Sequence, residues 1–343
     1  MSSCCEFSGP RYHGRVTNHF DGFEFHNQIE SDHGPADLLR WLTHREHVGW
    51  PDWIEAEPGP RPAARSLDLR VTYINHATTL IQIEGLNILT DPIWSEHASP
   101  LPFAGPRRVR VPGIRFEDLP PIDLVLISHD HYDHMDIPTL QRLQREHRPI
   151  IVAGLGQAAV LRQFGIRPVR ELDWGTSLRL RGLRVTGVPA RHTCNRGLCD
   201  SRGTLWLGYV LQSRMAGNVY FPGDTGAGPH FEQIARAYGP LRLALLPISP
   251  IRPHWFMARV HLDAAEAVQA AHALTAQTSV PIHYGTFDLG DDGPDEPLLQ
   301  LRESLAEDPA RPFFKVLDFG EGYDVPPLSH ASAQPAANPE KAP

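Results

Sequence analysis

Nine residues, Ser128–Asp136, constrain this chain of 343 residues more than any other stretch. Within six positions they supply four side chains of the kinds that bind metals: His129, His131, Asp133 and His134. The apolar run 123–128 before them predicts a buried strand, and the helical spacing of Ile137, Leu140 and Leu143 after them predicts a helix. Side chains at such a strand-to-helix turn converge on one point. Their imidazole nitrogens and carboxylate oxygen therefore predict a site for Zn²⁺ or another divalent transition metal.

Three further candidate ligands each follow a predicted strand: His192, Asp224 and His283. Two more polar residues, His76 and Asp91, lie at the ends of predicted strands earlier in the chain. Histidines that bind a metal need hydrogen-bond partners that fix the orientation of the ring, and we expect His76 and Asp91 to supply such partners. Taken alone, a histidine at the end of a strand is more often a structural hydrogen-bonding group than a ligand, and a turn explains His76 or Asp91 equally well.

Composition excludes several classes of function. The net charge of −8 and the absence of a basic block count against nucleic acid as a partner. No apolar run reaches the roughly 18 residues that a membrane-spanning helix needs. The first residues, Met-Ser-Ser-Cys-Cys-Glu-Phe, contain neither a basic segment nor an apolar one, so they do not resemble a signal peptide. The sequence therefore predicts a cytoplasmic globular protein.

Residues 1–65 are irregular and rich in Gly, Pro and aromatic residues, and we interpret them as an extension that packs on or caps the main domain. Within them Ser31 or Asp32 is predicted to cap a helix that begins at Pro35. Three leucines form one face of this helix: Leu38, Leu39 and Leu42. Three tryptophans lie in it or after it: Trp41, Trp50 and Trp53. They either pack against the domain, which we favour, or dock on the boundary between water and a peripheral membrane surface.

The main domain is predicted to span residues 66–325. Strands and helices alternate along it, with a hairpin that turns at Glu84-Gly85 and a capping box, Asp263-Ala-Ala-Glu266, that begins an alanine-rich helix. A strand over residues 313–317 ends the domain. The predicted fold class is therefore α+β, with two mixed sheets and outer helices. Residues 326–343 are mostly Pro, Ala and Ser, and we expect them to be disordered.

Four cysteines are present, Cys4, Cys5, Cys194 and Cys199, and their spacing matches no zinc finger. So few cysteines suit a reducing compartment. Cys194 and Cys199 lie on either side of a loop close to His192, where they could form a disulfide or take part in redox chemistry. We favour passive thiols, and the pairing stays an open alternative.

The stretch Ser128–Asp136 resembles the signature of the metallo-β-lactamase superfamily. This resemblance implies a four-layer αβ/βα sandwich that holds one or two metal ions. The family pattern assigns three ligands to each ion and a bridging carboxylate to both. The first ion takes His129, His131 and His192; the second takes Asp133, His134 and His283; the bridge is Asp224. The implied cofactor is two Zn²⁺ ions, with Asp133 and Asp224 among the catalytic residues.

Several stretches resemble one branch of that superfamily more closely, the N-acylphosphatidylethanolamine-hydrolysing phospholipases D. They are residues 71–78, 89–94, 189–192, 205–208, 221–226, 247–257, 261–267 and 282–287, in order and without large gaps over 66–320. The branch implies cleavage of a phospholipid phosphodiester into an N-acylethanolamine and phosphatidic acid by a hydroxide that the two metals share. It also implies that Tyr132 and His261 lie at the substrate, with His261 among the catalytic residues. Arg196 would line the entrance.

Two residues depart from the mammalian-type pattern of that branch: Val260 stands where a glutamine is expected, and Thr193 where a tryptophan is expected. Both bear on the pocket and not on the metals, so the lipid specificity stays open. The first alternative is a hydrolase of a lactone, an amide or a small cyclic phosphodiester on the same scaffold. The second is a non-catalytic metal-binding protein, which the complete set of ligands counts against. The pattern names no general acid, and a homodimer is an open alternative for assembly.

Overall fold

Two β-sheets form the centre of the fold, in a computed structural model that describes residues 7–30 and 34–329. Their strands are β1 Leu69–Asn75, β2 Thr78–Ile83, β3 Leu86–Thr90, β4 Leu124–Leu126, β5 Ile150–Gly154, β6 Val169–Leu172, β7 Ser177–Leu180, β8 Leu183–Val188, β9 Gly208–Gln212, β10 Asn218–Phe221, β11 Leu241–Pro247, β12 Ala276–Ile282 and β13 Gly322–Asp324. The first sheet has the order β13-β1-β2-β3-β4-β5-β6, and the second has the order β12-β11-β10-β9-β8-β7.

Both sheets are mixed. In the first, β1 to β3 pair antiparallel and β4 to β6 continue parallel to β3. The hairpin between β2 and β3 turns at Glu84 and Gly85, whose φ angles of 48° and 76° suit the tight two-residue connection that the sequence predicts. In the second sheet β7 to β10 pair antiparallel, and β11 and β12 follow in parallel. Strand β11 is buried at every position, including Arg242, whose guanidinium pairs with the carboxylate of Asp68.

Within the described residues seven helices accompany the sheets, and several of them pack on the sheet faces. They are α1 Pro35–Thr43, α2 Ile137–Glu146, α3 Gln157–Gln163, α4 His230–Tyr238, α5 His254–Met257, α6 Ala264–Leu274 and α7 Glu296–Glu307. Leu140 and Leu143 of α2 share a buried apolar cluster with Val125 and Ile127 on the first sheet. Helices α4, α6 and α7 pack on one another and on the second sheet. These layers confirm the predicted fold class, a four-layer α+β sandwich.

The predicted capping box is present at the start of α6. The Asp263 carboxylate accepts from the backbone N–H of Glu266 at 2.7 Å, and the Glu266 carboxylate accepts from the N–H of Asp263 at 3.0 Å. Two N–H groups that the helix leaves without internal partners are thereby satisfied, which fixes where the chain enters α6. This matters for the site described below, because His261 lies two residues before the cap.

The N-terminal extension lies against the main domain. Phe20 and Phe25 are buried in the central apolar cluster, and Asn27 exchanges two hydrogen bonds with the backbone of His192. Further along, Trp41 and Trp50 donate their indole N–H groups to the loop at 291–292. Among the described residues, 7–30 and 34–329, no helix is both long enough and apolar enough to cross a bilayer.

The start of α1 differs from the prediction. The residue before the helix is Gly34, and its N–H donates to the carboxylate of Asp37 at 3.2 Å. The predicted caps, Ser31 and Asp32, lie outside the described residues. The backbone N–H of the residue before a helix needs an acceptor that this residue's own side chain does not supply. A carboxylate in the first helical turn can accept from that N–H, so Gly34, which has no side chain, can occupy the position.

The predicted strand over residues 313–317 is wrong. This segment pairs with β12 only at Ser279, whose N–H donates to Phe313 and whose carbonyl accepts from Lys315. The next donor of β12 on that side would be Pro281, which has no N–H, so the pairing ends there. The last strand is instead β13. Residues 326–329, predicted as part of a disordered tail, contact the domain through Arg242 and Gln277, and residues 330–343 lie outside the described part.

Tyr209 and Tyr220 offer a matched test of how the sheets are joined. The hydroxyl of Tyr209 donates to the carbonyls of Ile127 at 2.7 Å and Val152 at 3.1 Å, in the opposite sheet. The hydroxyl of Tyr220 is buried and has no hydrogen-bond partner among the described residues. We expect Tyr209→Phe to lower the free energy of unfolding by about 1–2 kcal/mol and Tyr220→Phe to leave it unchanged or raise it. Urea unfolding measures both, and equal losses in the two variants would contradict the assignment.

Candidate metal centre

The predicted ligands meet at one edge of the two sheets because each follows the carboxyl end of a strand. The signature loop follows β4, His192 follows β8, Asp224 follows β10 and His283 follows β12. His76 and Asp91 follow β1 and β3. The structure thus brings together all seven residues proposed as ligands and both residues proposed to orient them, although they span more than two hundred positions of the chain.

His129, His131 and His192 form the first group. The Nε2 atom of His129 lies 2.8 Å from Nδ1 of His131, which lies 3.3 Å from Nε2 of His192. Around a tetrahedral zinc ion with Zn–N bonds of about 2.0–2.1 Å, neighbouring ligand nitrogens are about 3.3 Å apart. These separations therefore fit three nitrogens that face one cation.

Each imidazole of the first group is held by its other ring nitrogen. His129 Nδ1 lies 2.9 Å from Ser128 Oγ, His131 Nε2 lies 3.1 Å from Asn195 Oδ1, and His192 Nδ1 lies 2.8 Å from the carbonyl of Val260. The carbonyl of Val260 can only accept, so His192 carries its proton on Nδ1 and presents a lone pair at Nε2. The side chains of Ser128 and Asn195 are suited to fixing the other two rings in the same manner. Sequence analysis missed both, although each is adjacent to predicted site residues in the chain.

Asp133, His134 and His283 form the second group. The Nε2 atoms of His134 and His283 are 3.3 Å apart, and Asp133 Oδ2 lies 3.2 Å from Nε2 of His134. Asp224 Oδ2 lies 3.2 Å from Nε2 of His134, 3.1 Å from that of His283 and 3.8 Å from that of His192. One carboxylate therefore contacts both groups, as the predicted bridge requires.

Some polar atoms at this centre lack partners inside the protein. Asp224 Oδ1 and His261 Nδ1 are buried without a hydrogen bond among the described residues. Buried polar groups are almost always satisfied, so unpartnered atoms beside a cluster of imidazoles and carboxylates indicate a missing charged partner. The donor set, nitrogen and carboxylate oxygen, fits a divalent transition metal.

Asp91 and His76 orient the second group. Asp91 Oδ2 lies 2.6 Å from Nδ1 of His134 and accepts from Ser128 Oγ at 2.5 Å. His76 Nε2 lies 2.8 Å from Asp133 Oδ2, and its carbonyl accepts from the N–H of His283 at 2.7 Å. His76, Asp91 and His283 have φ angles of 47°, 32° and 65°. Non-glycine residues in this region cost energy and persist where the surrounding structure demands them, which is typical of functional sites.

The mouth of the centre is a pocket of about 220 Å³. The side chains that line it are those of His131, Asp133, Asp224 and His261 on the polar side and Trp41, Pro250, Phe256, Met257, Val260 and Leu289 on the apolar side. Trp41 comes from the extension, and its ring stacks on Phe256 with a centroid distance of 4.9 Å. Sequence analysis did not predict this apolar wall, because the path of irregular segments leaves no periodic signal.

The three residues predicted to contact substrate occupy two different places. His261 lies at the mouth, with Nδ1 3.7 Å from Asp224 Oδ2, and burial lowers its pKa to about 4. Tyr132 lines a separate cavity of about 640 Å³ on the other side of the signature loop. Arg196 is 7% exposed, its guanidinium is hydrogen-bonded to the backbone, and it lines the same cavity as Tyr132. The roles of Tyr132, His261 and Arg196 toward a substrate stay predictions.

The cysteines near the site do not pair with each other. Cys194 is a buried free thiol that donates to the carbonyl of Thr204 at 2.8 Å, and burial raises its pKa well above its usual value. Cys199 takes part in a disulfide whose other half lies outside the described residues. The Cys194–Cys199 pairing is wrong, and the prediction of a passive thiol fits Cys194 but not Cys199.

Comparison with known proteins identifies the family. A family model described as “Beta-lactamase superfamily domain” matches residues 86–284, more than half of the chain. The chain belongs to the metallo-β-lactamase superfamily. It is 36% identical to N-acyl-phosphatidylethanolamine-hydrolyzing phospholipase D 1 of Caenorhabditis elegans over 70% of this chain and 69% of that protein. It is 40% identical to the uncharacterized protein Rv0906 of Mycobacterium tuberculosis over 68% of this chain and 63% of that protein.

A solved structure shows the same fold. Igni18, a metallo hydrolase from Ignicoccus hospitalis, superposes with a TM-score of 0.56 at 24% identity over 74% of this chain and 97% of that chain. The resemblance found in the sequence is confirmed. This superfamily member is a metal-dependent hydrolase of the metallo-β-lactamase fold.

The two ligand groups differ in how readily they accept a cation. Burial lowers the pKa values of His129 and His192 well below the usual range, so these rings are neutral near pH 7. Burial also works against a charge on His134 and His283, but the carboxylates of Asp224 and Asp133 outweigh it and raise both pKa values, that of His283 to about 9. The metal-free second group therefore holds protons that a cation must displace.

We expect zinc binding at pH 7 to release at least one proton from the second group. Because the pKa of His283 lies at about 9, the apparent affinity should rise with pH up to that value and fall as the pH decreases. Zinc titration of metal-free protein in weakly buffered solution, followed with a pH indicator, measures the released protons. Stoichiometric zinc binding at pH 7 with no proton release would contradict the charge state assigned to His134 and His283.

Proposed function

We propose that this superfamily member is a di-zinc phosphodiesterase of the phospholipase D type, which cleaves N-acylphosphatidylethanolamine to an N-acylethanolamine and phosphatidic acid. The observation that carries the proposal is the mouth of the metal centre, where apolar side chains stand beside the carboxylates of Asp133 and Asp224. The identity of 36% to a protein named for this reaction supports the same choice of substrate.

Two ligand groups that share Asp224 support a count of two ions. One ion would be held by His129, His131 and His192, the other by Asp133, His134 and His283, with Asp224 common to both. When bound, a pair of zinc ions lowers the pKa of water and offsets negative charge on the oxygens of a phosphodiester. The protein keeps the ligand rings fixed through Asp91, Ser128, Asn195 and the carbonyl of Val260. Fixed donors need no reorganisation during the reaction, which is a principal source of rate enhancement in enzymes.

The apolar wall suits a substrate whose reacting phosphate carries an aliphatic group nearby. Trp41, Phe256 and Leu289 stand opposite the charged residues of the mouth. An acyl chain buried against such a wall contributes about 0.8 kcal/mol per CH₂. An acyl chain bound there would exclude water, which would strengthen the electrostatic interactions of the centre with a bound phosphate.

Product identification tests the reaction. Zinc-loaded protein is incubated with N-acylphosphatidylethanolamine in mixed micelles, and Asp224→Ala, which removes the carboxylate common to both groups, is the control. We expect N-acylethanolamine and phosphatidic acid by mass spectrometry with the native protein and neither product with Asp224→Ala. Release of free fatty acid instead would contradict phosphodiester cleavage, because it reports attack on an acyl ester or amide.

A second candidate is hydrolysis of a smaller substrate, such as a lactone, an amide or a cyclic phosphodiester. The volume of the mouth, about 220 Å³, and the apolar Val260 at its rim favour this candidate. If the protein hydrolyses a chromogenic phosphodiester but not the lipid, the proposed metal chemistry stands and the lipid is not the substrate.

We also propose that the apolar face of α1 docks on a lipid surface. Leu38, Leu39 and Leu42 are 45%, 62% and 57% exposed on this face. Trp41 on the same helix lines the mouth. The guanidinium of Arg40 lies 4.5 Å from the ring centroid of the half-exposed Trp255. The leucines therefore replace Trp41 and Trp50, whose indoles bond inward, as the surface for membrane contact.

Sedimentation with vesicles of phosphatidylcholine and phosphatidylglycerol tests this surface. Replacing Leu38, Leu39 and Leu42 together by Ser should weaken binding by about tenfold or more, because each buried leucine contributes about 1.5–3 kcal/mol. Leu67→Ser is the matched control, since Leu67 is 88% exposed near the start of β1. Unchanged vesicle binding in the triple variant would contradict the proposal. A wild-type protein that is a dimer in solution, with a triple variant that is a monomer, would also contradict it, because the leucines would then contact a second copy.

A further inference from the structure

One side chain holds both ends of the loop that carries three of the predicted ligands. The loop runs from Asp130 to Met135, and Nη1 of Arg196 donates to the carbonyl of Asp130 at 2.9 Å and to that of Met135 at 3.1 Å. The two carbonyls belong to residues five positions apart. A single guanidinium that bonds to both fixes the distance between the ends of the loop.

The same guanidinium also contacts the middle of the loop. Its Cζ atom lies 4.0 Å from the ring centroid of Tyr132, which stands between the ligands His131 and Asp133. A cation over an aromatic face contributes about 0.5–2 kcal/mol, more where water is excluded. Arg196 therefore contacts the loop at three points, and the ligands lie between them.

Arg196 is itself held in place. Its backbone N–H and that of Gly197 donate to the carboxylate of Asp200, at 3.2 Å and 2.9 Å. The preceding residue, Asn195, has its side-chain oxygen 3.1 Å from Nε2 of His131.

Asn195 and Arg196, which are consecutive in the chain, thus both contact the loop from Asp130 to Met135, which we call the ligand loop. Asn195 contacts it at a ligand, and Arg196 contacts it at its two ends. A buried charge is costly unless it is hydrogen-bonded, so the carbonyls of Asp130 and Met135 hold the guanidinium in place.

We propose that Arg196 is a positioning residue that sets the geometry of the metal centre through the ligand loop. The proposal depends on the metal centre and not on the identity of the substrate. Groups that orient metal ligands typically cost about 10–100-fold in metal affinity when they are removed. If the ends of the loop are released, its three ligands can shift relative to the ligands that follow other strands. We expect this shift to lower the metal affinity to a similar degree.

Arg108 is the matched control, because it is a buried arginine with similar contacts that does not bond to the ligand loop. It is 4% exposed, donates to the carbonyls of Ser95 and Ile93 at 2.9 Å and 3.1 Å, and lies 5.4 Å from the ring centroid of Phe287. Its bonding resembles that of Arg196 in number and kind. Neither of its carbonyl partners belongs to the loop that carries ligands.

The test compares Arg196→Met with Arg108→Met in metal-free protein titrated with Co²⁺. Competition with a chromophoric chelator gives the affinity, the visible absorption spectrum reports the ligand geometry, and thermal unfolding reports stability. We expect Arg196→Met to lose about 10–100-fold in affinity and to change the spectrum. Arg108→Met should lower the melting temperature and keep the wild-type affinity and spectrum. Arg196→Lys, which keeps a cation and its donors, should have an affinity between those of wild type and Arg196→Met.

Two outcomes would overturn the proposal. One is wild-type affinity and spectrum in Arg196→Met, and the other is an equal loss of affinity in Arg108→Met. If Arg196→Met does not fold, Arg196→Gln decides, since its shorter amide cannot reach both carbonyls and should lose affinity to a similar degree. Wild-type metal affinity in Arg196→Gln would overturn the proposal that Arg196 positions the ligand loop. Because no substrate enters these measurements, their failure is distinct from failure of the lipid assignment.

Discussion

The carboxylate of Asp224 is the contact on which the rest of the centre depends. It lies within 4 Å of imidazoles from both ligand groups, and it is one of only a few negative charges among many histidines. Burying so many titratable groups without a cation is unfavourable. Each group must either become neutral or pair with an opposite charge, and a charge that pairs with one group is less available to the next. The pKa values reflect this conflict: His129 and His192 lose their protons, while His134 and His283 keep theirs beside the carboxylates. A bound cation resolves the conflict for all of them together.

The two-sheet scaffold makes this concentration of polar groups tolerable. Apolar strands carry the ligands only at their carboxyl ends, so the titratable groups of the site collect at that edge of the sheets. At that edge His76, Asp91 and His283 adopt left-handed backbone conformations, which turn their side chains into the centre. Such conformations are maintained by the packing of the strands on either side. The stability of the sheets thus supports the geometry of the site.

Much of this arrangement could be predicted from the sequence, for a physical reason. Each ligand follows a short apolar run, and an apolar run is the local pattern that most reliably indicates a buried strand. The predictions failed where long-range contacts decide. Residues 313–317 have the local composition of a strand, but Pro281 on the neighbouring strand ends their pairing. The hydrogen bonds from Arg196 to the carbonyls of Asp130 and Met135 also depend on long-range contacts, which no local pattern indicates.

The metal ligands and the walls of the mouth come from different parts of the chain. Trp41 belongs to the extension, Phe256 and Met257 belong to α5, and Leu289 lies in the loop after β12. None of these four is among the proposed ligands or the groups that orient them, so each can change while the metal site keeps its geometry. One centre can thereby serve different substrates, which is the general relation between a fold and the functions it carries.

Val260 contributes both to the orientation of a metal ligand and to the wall of the mouth. Its carbonyl accepts from Nδ1 of His192 at 2.8 Å, while its side chain lines the mouth. The hydrogen bond that orients the ligand uses only the backbone, so it is compatible with valine here and with glutamine in a related enzyme. The side chain is therefore free to alter the shape and polarity of the pocket without disturbing the metal. A departure from the family pattern at this residue is consequently evidence about the substrate and not about the chemistry.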